Sequence, residues 1–393
     1  MDSAYLLIGL SLAVLISYGF DLFSSRIKTP SVILLLLLGI ITRWISGYFD
    51  VQVPFVAPAL SALGTLGLIL IVLEGALDLE LPPEKFGLIR RTALMAFSTI
   101  ALTNLLIASV MYLLIEETFY RCLLNSLPFA MISSARAALS SNVLSGEQRE
   151  FFTYETAFSS IIGVTGFNFL LAAQSSVWTA GFSFLRDTVV MAIVSVMCCF
   201  GLLFLIGRIN HPVKFLPIIS VLLLVYGIAE VNHLSSLLLI LVFGLFLNNT
   251  ELFIRGRLDQ ILKNDLFEKE FDQLKNLTAE GSFVVRTFFF LFFGYAADLT
   301  VLADVDAWVV GVLFVGAILG VRFITLRLIF RGVLNPLGYI APRGLVTILL
   351  YLNIPKTLTI NGFPPGVLLV TVILSAFVTM GGVIGFRPHP PSS

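Results

Sequence analysis

The chain has 393 residues, of which 58% are hydrophobic and only 12% carry a formal charge. Soluble domains are about one-quarter charged. This composition, with a mean hydropathy of +0.99, therefore excludes a soluble protein and predicts an all-α polytopic membrane protein in a lipid bilayer. The 24 basic and 24 acidic residues balance, which argues against a nucleic-acid partner. The three cysteines and three histidines indicate neither a disulfide framework nor a metal centre, so we expect no cofactor.

Apolar segments long enough to cross a bilayer recur along the whole chain. A span needs about 20 mainly apolar residues, and we predict thirteen. In chain order they are 4–23, 29–47, 54–78, 92–115, 119–143, 153–174, 184–207, 213–231, 234–249, 281–302, 307–330, 337–354 and 364–386. No basic region precedes the first segment, so we expect a retained helix and not a cleaved signal peptide.

The basic residues between these spans predict an orientation. Most fall in the odd-numbered loops, whereas the even-numbered loops hold only Arg43, Arg121, Arg186 and Lys356. Cytoplasmic loops are enriched in lysine and arginine. We therefore expect the N-terminus outside and the C-terminus in the cytoplasm of a cell inner (plasma) membrane.

The spans predict two six-helix repeats around a central linker. Residues 1–175 form the first repeat, 176–210 the linker helix and 211–386 the second repeat, before a polar tail at 387–393. Because the linker crosses the membrane once, the two repeats would have inverted topology, as in many secondary transporters. Apolar residues at helical spacing among mixed charges predict an amphipathic cytoplasmic helix within the second repeat, at 251–280.

Two spans at matching positions in the repeats are interrupted by polar or helix-breaking residues. The fifth span contains Ser133, Ser134 and Arg136, and the twelfth contains Pro342 and Arg343. Broken helices inside a membrane expose backbone groups and helix dipoles that can hold ions. We expect Arg343 to bond to carbonyls that such a break leaves free.

Charged residues within spans are expensive and mark a polar interior. An arginine or aspartate at a helix centre costs about 2.5–3.5 kcal/mol on insertion scales, so each is expected to face a partner or an aqueous cavity. The main candidates are Arg136, Arg286, Arg322, Arg343, Glu74 and Glu155. A polar interior in a many-helix membrane protein favours transport. No nucleophile–base set indicates an enzyme.

Several segments, in order, resemble the cation–proton antiporter superfamily, in particular its NhaP/NHE-type sodium/proton exchanger branch. They are TPSVILLLLLGIITR, LGLILIVLEGALDLEL, YETAFSSIIGVTGFNF, RTFFFLFFGYAADL and APRGLVTILL. The resemblance covers nearly the whole chain. It implies two inverted repeats with crossed discontinuous helices (the antiporter fold), a homodimer, and alternating access that exchanges a monovalent cation, Na⁺ or K⁺, for protons. In that family one carboxylate serves both ions, because cation and proton compete for it.

The chain departs from the family pattern at the ion site. The resemblance aligns Glu155 with a glutamate, Ser159 with an asparagine and Ser160 with the aspartate that binds the cation. A serine hydroxyl can coordinate a cation through its lone pairs but does not ionise. The acidic position of the fifth helix is also lost, since Ser134 and Arg136 flank an alanine there.

Three interpretations follow from this departure. In the first, another carboxylate takes over the coupling role, with Glu155 the best placed and Glu74 next. The competing role for Glu155 is a structural ion pair with a core arginine (Arg286, Arg322 or Arg343). In the second, Arg136 and helix N-termini favour an anion. In the third interpretation, the protein has the antiporter fold without cation/proton coupling, as a transport-inactive variant or a membrane sensor.

Overall fold

The computed structural model describes residues 3–27, 31–48, 56–133, 143–173, 177–208, 215–232, 236–249, 265–297, 299–330, 334–360, 363–364 and 366–386. These ranges contain thirteen α-helices and three short 3₁₀ turns, with no strand among them. The all-helical fold class predicted from composition is confirmed. Eight of the described helices are long and apolar enough to cross a membrane.

The helices follow the predicted spans closely. They are α1 (Ser3–Ile27), α2 (Ser31–Tyr48), α3 (Val56–Leu77), α4 (Phe86–Leu114), α5 (Phe119–Ala130), α6 (Gly146–Ala172), α7 (Val177–Arg208), α8 (Phe215–Val231), α9 (Ser236–Asn248), α10 (Asp265–Ala296), α11 (Val305–Ile329), α12 (Leu345–Leu352) and α13 (Val367–Gly385). Helices α5 and α12 are much shorter than the spans expected at 119–143 and 337–354. Each is an interrupted segment.

The amphipathic segment is arranged differently from the expectation. Residues 251–264 lie outside the described residues, and 265–280 form the first half of α10, which continues without a break to Ala296. Gly281 does not interrupt this helix, because a glycine inside a helix weakens it by only about 0.5–1 kcal/mol relative to alanine.

By its contacts the chain divides into two compact units. One comprises Met1–Gly67, Gly87–Ser160 and Phe283–Ser393, and the other comprises Leu68–Phe86 and Ile161–Ser282. This division into units does not test the inverted repeats predicted at 1–175 and 211–386, because a repeat is defined by internal symmetry. The repeats therefore remain a prediction. The interrupted helices α5 and α12 both lie within the first unit.

Close backbone packing joins α2 to the second half of α10 in the first unit. A Cβ atom at Gly294 would overlap the carbonyl oxygen of Leu36, and one at Gly39 would overlap that of Leu291. Two glycines therefore face the opposing backbone at one crossing. Small residues permit this approach between membrane helices.

In the second unit, a side chain after α9 orders the backbone that follows α3. Asn249 donates from Nδ2 to the Leu79 carbonyl at 2.9 Å and accepts from the Leu81 amide at 2.7 Å. Lys275 lies 3.3 Å from Asp78 beside the same turn. The side-chain amide of Asn249 thus binds backbone groups that lie beyond the last turn of α3.

Candidate functional site

The candidate site is built around the ends of the two interrupted helices. Helix α5 ends at Ala130 because Met131 adopts extended backbone angles (φ −78°, ψ 141°). Helix α12 begins only after Gly344, which is also extended (φ −140°, ψ −147°). Between them, the Ser133 amide donates to the Pro342 carbonyl at 3.0 Å. The two non-helical segments therefore pair backbone to backbone in the interior.

Arg343 satisfies the carbonyl end of α5. Its Nε donates to the Phe129 carbonyl at 2.6 Å and its Nη2 to the Ala130 carbonyl at 3.4 Å, while Nη1 donates to the Ala341 carbonyl at 3.0 Å. The last carbonyls of a helix lack intrahelical partners and carry about half a negative charge. A buried guanidinium at that position neutralises the end of α5 and replaces its missing hydrogen bonds.

Glu155 and Arg322 form a two-pronged ion pair inside the first unit. Nη1 of Arg322 lies 2.8 Å from Oε1 of Glu155, and Nη2 lies 3.1 Å from Oε2. Both side chains are 0% exposed. Nε of Arg322 also donates to the Leu337 carbonyl at 3.1 Å, so all three guanidinium nitrogens donate a hydrogen bond.

Of the three arginines considered for Glu155, Arg322 is thus the one in contact with it. Arg343 engages main-chain carbonyls instead. Arg286 is half-buried in α10 and is not among the hydrogen-bond partners of Glu155. Glu74 is half-buried near the end of α3, in the second unit.

The serines of the aligned ion site have separate roles in the structure. Oγ of Ser159 accepts a hydrogen bond from the Ile132 amide at 2.9 Å and so supports the chain just after α5. Oγ of Ser160 donates to the Thr156 carbonyl one turn earlier at 3.1 Å. Oγ of Ser133 is buried and has no hydrogen-bond partner among the described residues. Ser134 and Arg136 lie outside the described residues.

Hydroxyl side chains on α13 also support the interrupted segments, and the sequence interpretation did not select them. Oγ of Ser375 accepts from the Arg343 amide at 3.0 Å, and Oγ1 of Thr379 accepts from the Ala341 amide at 3.3 Å. With Thr371, they are buried and spaced four residues apart. This polar stripe in an otherwise apolar helix was visible in the sequence and could have identified the residues.

The charged groups of this core do not balance. The fully or almost fully buried charged side chains among the described residues are Glu155, Arg322 and Arg343. The first two cancel, which leaves the charge of Arg343. The buried charged side chains of the described core therefore sum to +1, which the partial negative charge at the end of α5 offsets only in part. A surplus of positive charge is the opposite of what a cation site requires.

Comparisons with known proteins place this arrangement in a family. Residues 10–388 match the profile of the family described as "Sodium/hydrogen exchanger, transmembrane". The chain is similar in structure to the sodium proton antiporter MjNhaP1 from Methanocaldococcus jannaschii at pH 8, with a TM-score of 0.69 and 19% identity over 98% of this chain and 96% of that one. An electron-microscopy structure of the same antiporter gives a TM-score of 0.66 and 16% identity over 100% of both chains. No curated protein matches the chain by sequence.

Proposed function

Because the chain belongs to the sodium/hydrogen exchanger family, we propose that it is a secondary transporter that exchanges a monovalent cation, Na⁺ or K⁺, for protons by alternating access. The observation that carries the proposal is the family match over residues 10–388. The interrupted helices α5 and α12, paired through Ser133 and Pro342, support it, because such breaks offer backbone groups to ions.

Exchange requires a group for which cation and proton compete. Glu155 is the only carboxylate among the described residues that is fully buried in the core. In the structure, both of its oxygens accept from Arg322. Under this proposal, Glu155 would release Arg322 when it takes up a proton or a cation, and the pair would reform in the empty carrier.

Neutral oxygens would complete the cation coordination. Oγ of Ser159 and Oγ of Ser160 lie on consecutive positions of α6, one turn after Glu155. Hydroxyl oxygens have lone pairs for a cation but no charge of their own. In this arrangement the serines contribute ligands, while any change in charge occurs at Glu155.

The finer features of the transporter are proposals as well. We propose a homodimer with the N-terminus outside and the C-terminus in the cytoplasm of the cell inner membrane. The distribution of lysine and arginine between the loops supports the orientation.

The test is cation-driven proton movement in reconstituted vesicles that contain a pH-sensitive dye. Pulses of Na⁺, K⁺ and Li⁺ should change the internal pH in the wild-type protein, and the response should be lost in Glu155→Gln. The matched control is Glu147→Gln, which alters an exposed glutamate in the first turn of the same helix and should retain exchange. Wild-type coupling in Glu155→Gln would show that Glu155 is not the shared carrier.

A second candidate function is an antiporter fold without cation/proton coupling, either an anion carrier, a transport-inactive variant or a membrane sensor. Two features of the core favour it. Both oxygens of Glu155 accept hydrogen bonds from Arg322, and the Ser160 side chain has no ionisable group. Ser160→Asp distinguishes the two candidates. A silent wild-type protein that gains exchange through Ser160→Asp would support this second function.

A further inference from the structure

The buried N-terminus of α12 has hydrogen-bond donors without acceptors. Gly344 at its N-cap contributes no side-chain bond, and the first turn-closing bond runs from the Ile348 amide to the Gly344 carbonyl at 3.2 Å. The amides of Leu345, Val346 and Thr347 have no hydrogen-bond partner among the described residues. All three residues are at most 5% exposed. Such amides normally receive a cap, since leaving one buried and unpaired costs about 1–3 kcal/mol.

Two buried hydroxyls without partners lie at the same helix end. A Cβ atom on Gly344 would be 2.9 Å from Oγ of Ser133, so this hydroxyl lies against the N-cap. Thr347, three residues later in the first turn of α12, is 0% exposed. Within the part of the chain that the structure describes, neither Ser133 Oγ nor Thr347 Oγ1 has a hydrogen-bond partner.

The buried threonines of the core are of two kinds: the hydroxyls of Thr103, Thr347 and Thr371 have no hydrogen-bond partner among the described residues, whereas others are bonded. Thr325 and Thr379 donate to a carbonyl one turn earlier in their own helices, at 2.9 Å in each case. Thr347 makes no such bond, so its hydroxyl remains available as a donor. Together with the amides, it offers a cluster of donors for an acceptor that the described residues do not provide.

The local charge selects an anion. Arg343 directly precedes α12, and the only fully buried carboxylate among the described residues is already paired with Arg322. The N-terminus of a helix adds about half a positive charge. Successive amides at a helix N-terminus are a recurrent anion-binding arrangement. A monovalent anion would balance the net charge of +1, whereas a divalent anion would reverse it.

We propose that a small monovalent anion, of the charge and size of chloride, binds at the N-terminus of α12 through the amides of residues 345–347 and the hydroxyls of Ser133 and Thr347. In this role the anion supplies the negative charge that Ser160 cannot. It would make cation/proton exchange dependent on chloride, a consequence that rests on the proposed function. Anion binding itself does not depend on exchange.

Binding is tested on the purified protein in detergent, by thermal unfolding at constant Na⁺ and ionic strength while chloride replaces gluconate. Saturable stabilisation by chloride is expected. Thr347→Val removes one hydroxyl donor at nearly constant volume, and should weaken chloride binding at least tenfold, because a hydrogen bond to a charged group contributes about 1.5–3 kcal/mol. The matched control is Thr103→Val, which removes another buried hydroxyl without a partner, on α4.

Thr103→Val should retain the wild-type chloride affinity. Equal chloride affinity in Thr347→Val and Thr103→Val would overturn the site, as would a wild-type protein with no chloride-specific stabilisation. If Thr347→Val fails to fold, Ser133→Ala provides the same comparison from the other side of the site.

The transport measurement separates this inference from the proposed function. Exchange that falls in gluconate, and becomes independent of chloride in Ser160→Asp, would support both. Chloride binding without exchange under any condition would retain the site and refute the proposed function. Exchange in gluconate equal to that in chloride, with no chloride binding, would retain the proposed function and refute the anion site.

Discussion

Replacing Glu155 by glutamine would leave the Arg322 guanidinium buried without a carboxylate to balance its charge. Both side chains are 0% exposed, and two hydrogen bonds of 2.8 and 3.1 Å join them. A hydrogen bond to a charged group contributes about 1.5–3 kcal/mol, so the two together correspond to about 3–6 kcal/mol. Removal of one partner of a buried pair typically costs about 3–5 kcal/mol, which agrees with this estimate.

We therefore expect Glu155→Gln to lose about 3 kcal/mol in its free energy of unfolding, since the glutamine oxygen can still accept one bond from Arg322. Arg322→Met should lose at least as much, because it leaves the Glu155 carboxylate buried without its charge partner. The double variant should be more stable than the sum of the two losses predicts. We expect a coupling energy of at least about 1.5 kcal/mol, within the range measured for residues in contact.

The assay is reversible unfolding in mixed detergent micelles, with the denaturing detergent increased stepwise and the free energy extrapolated to its absence. Glu147→Gln, an exposed change on the same helix, should unfold at the wild-type concentration. The reasoning is refuted if Glu155→Gln is as stable as wild type, or if the two single losses add to within about 0.5 kcal/mol in the double variant.

Two further stability predictions use the same assay. Gly294→Ala should lose about 1–3 kcal/mol, because its Cβ would overlap the Leu36 carbonyl. Gly281→Ala on the same helix would meet only a side-chain methyl at 3.5 Å and should be neutral or slightly stabilising; equal losses for the two would contradict the packing argument. Asn249→Leu should lose about 2 kcal/mol, since it removes two hydrogen bonds to the backbone after α3. Asn232→Leu, at an exposed position just after α8 whose side chain donates to the Ile228 carbonyl, should have little effect, and a similar loss there would exclude a specific role for Asn249.

The sequence predicted much of the architecture because the bilayer restricts the alternatives. Backbone groups in hydrocarbon must bond within their own segment, so most long apolar runs become helices close to the expected bounds, apart from the interrupted α5 and α12 and the early start of α10. The interruptions near Ser133 and Pro342 were predicted by polar and helix-breaking residues in those runs, and the structure places both helix ends there. The resemblance to the exchanger family, read from ordered motifs, is confirmed by the match over residues 10–388.

The pairing of the charged groups could not be predicted from the sequence. Three arginines were equivalent candidates for Glu155, and Arg322 is its partner only because α6 and α11 pack together, 167 residues apart in the chain. The start of α10 at Asp265 was also missed, because the charged residues before Gly281 look like a separate surface helix. Local composition does not reveal that a helix continues into an apolar span.

The sequence by itself thus determined a many-helix membrane protein with two interrupted spans and serines at the aligned ion site. These properties depend on local composition and on the solvation of the backbone. Only the tertiary structure decided that the carbonyls bound by Arg343 include those at the end of α5, that Arg322 is the partner of Glu155, and that the Ser133 hydroxyl lies against Gly344, the N-cap of α12. Those contacts depend on how distant helices cross, and their electrostatic strength depends on burial, which no local pattern specifies.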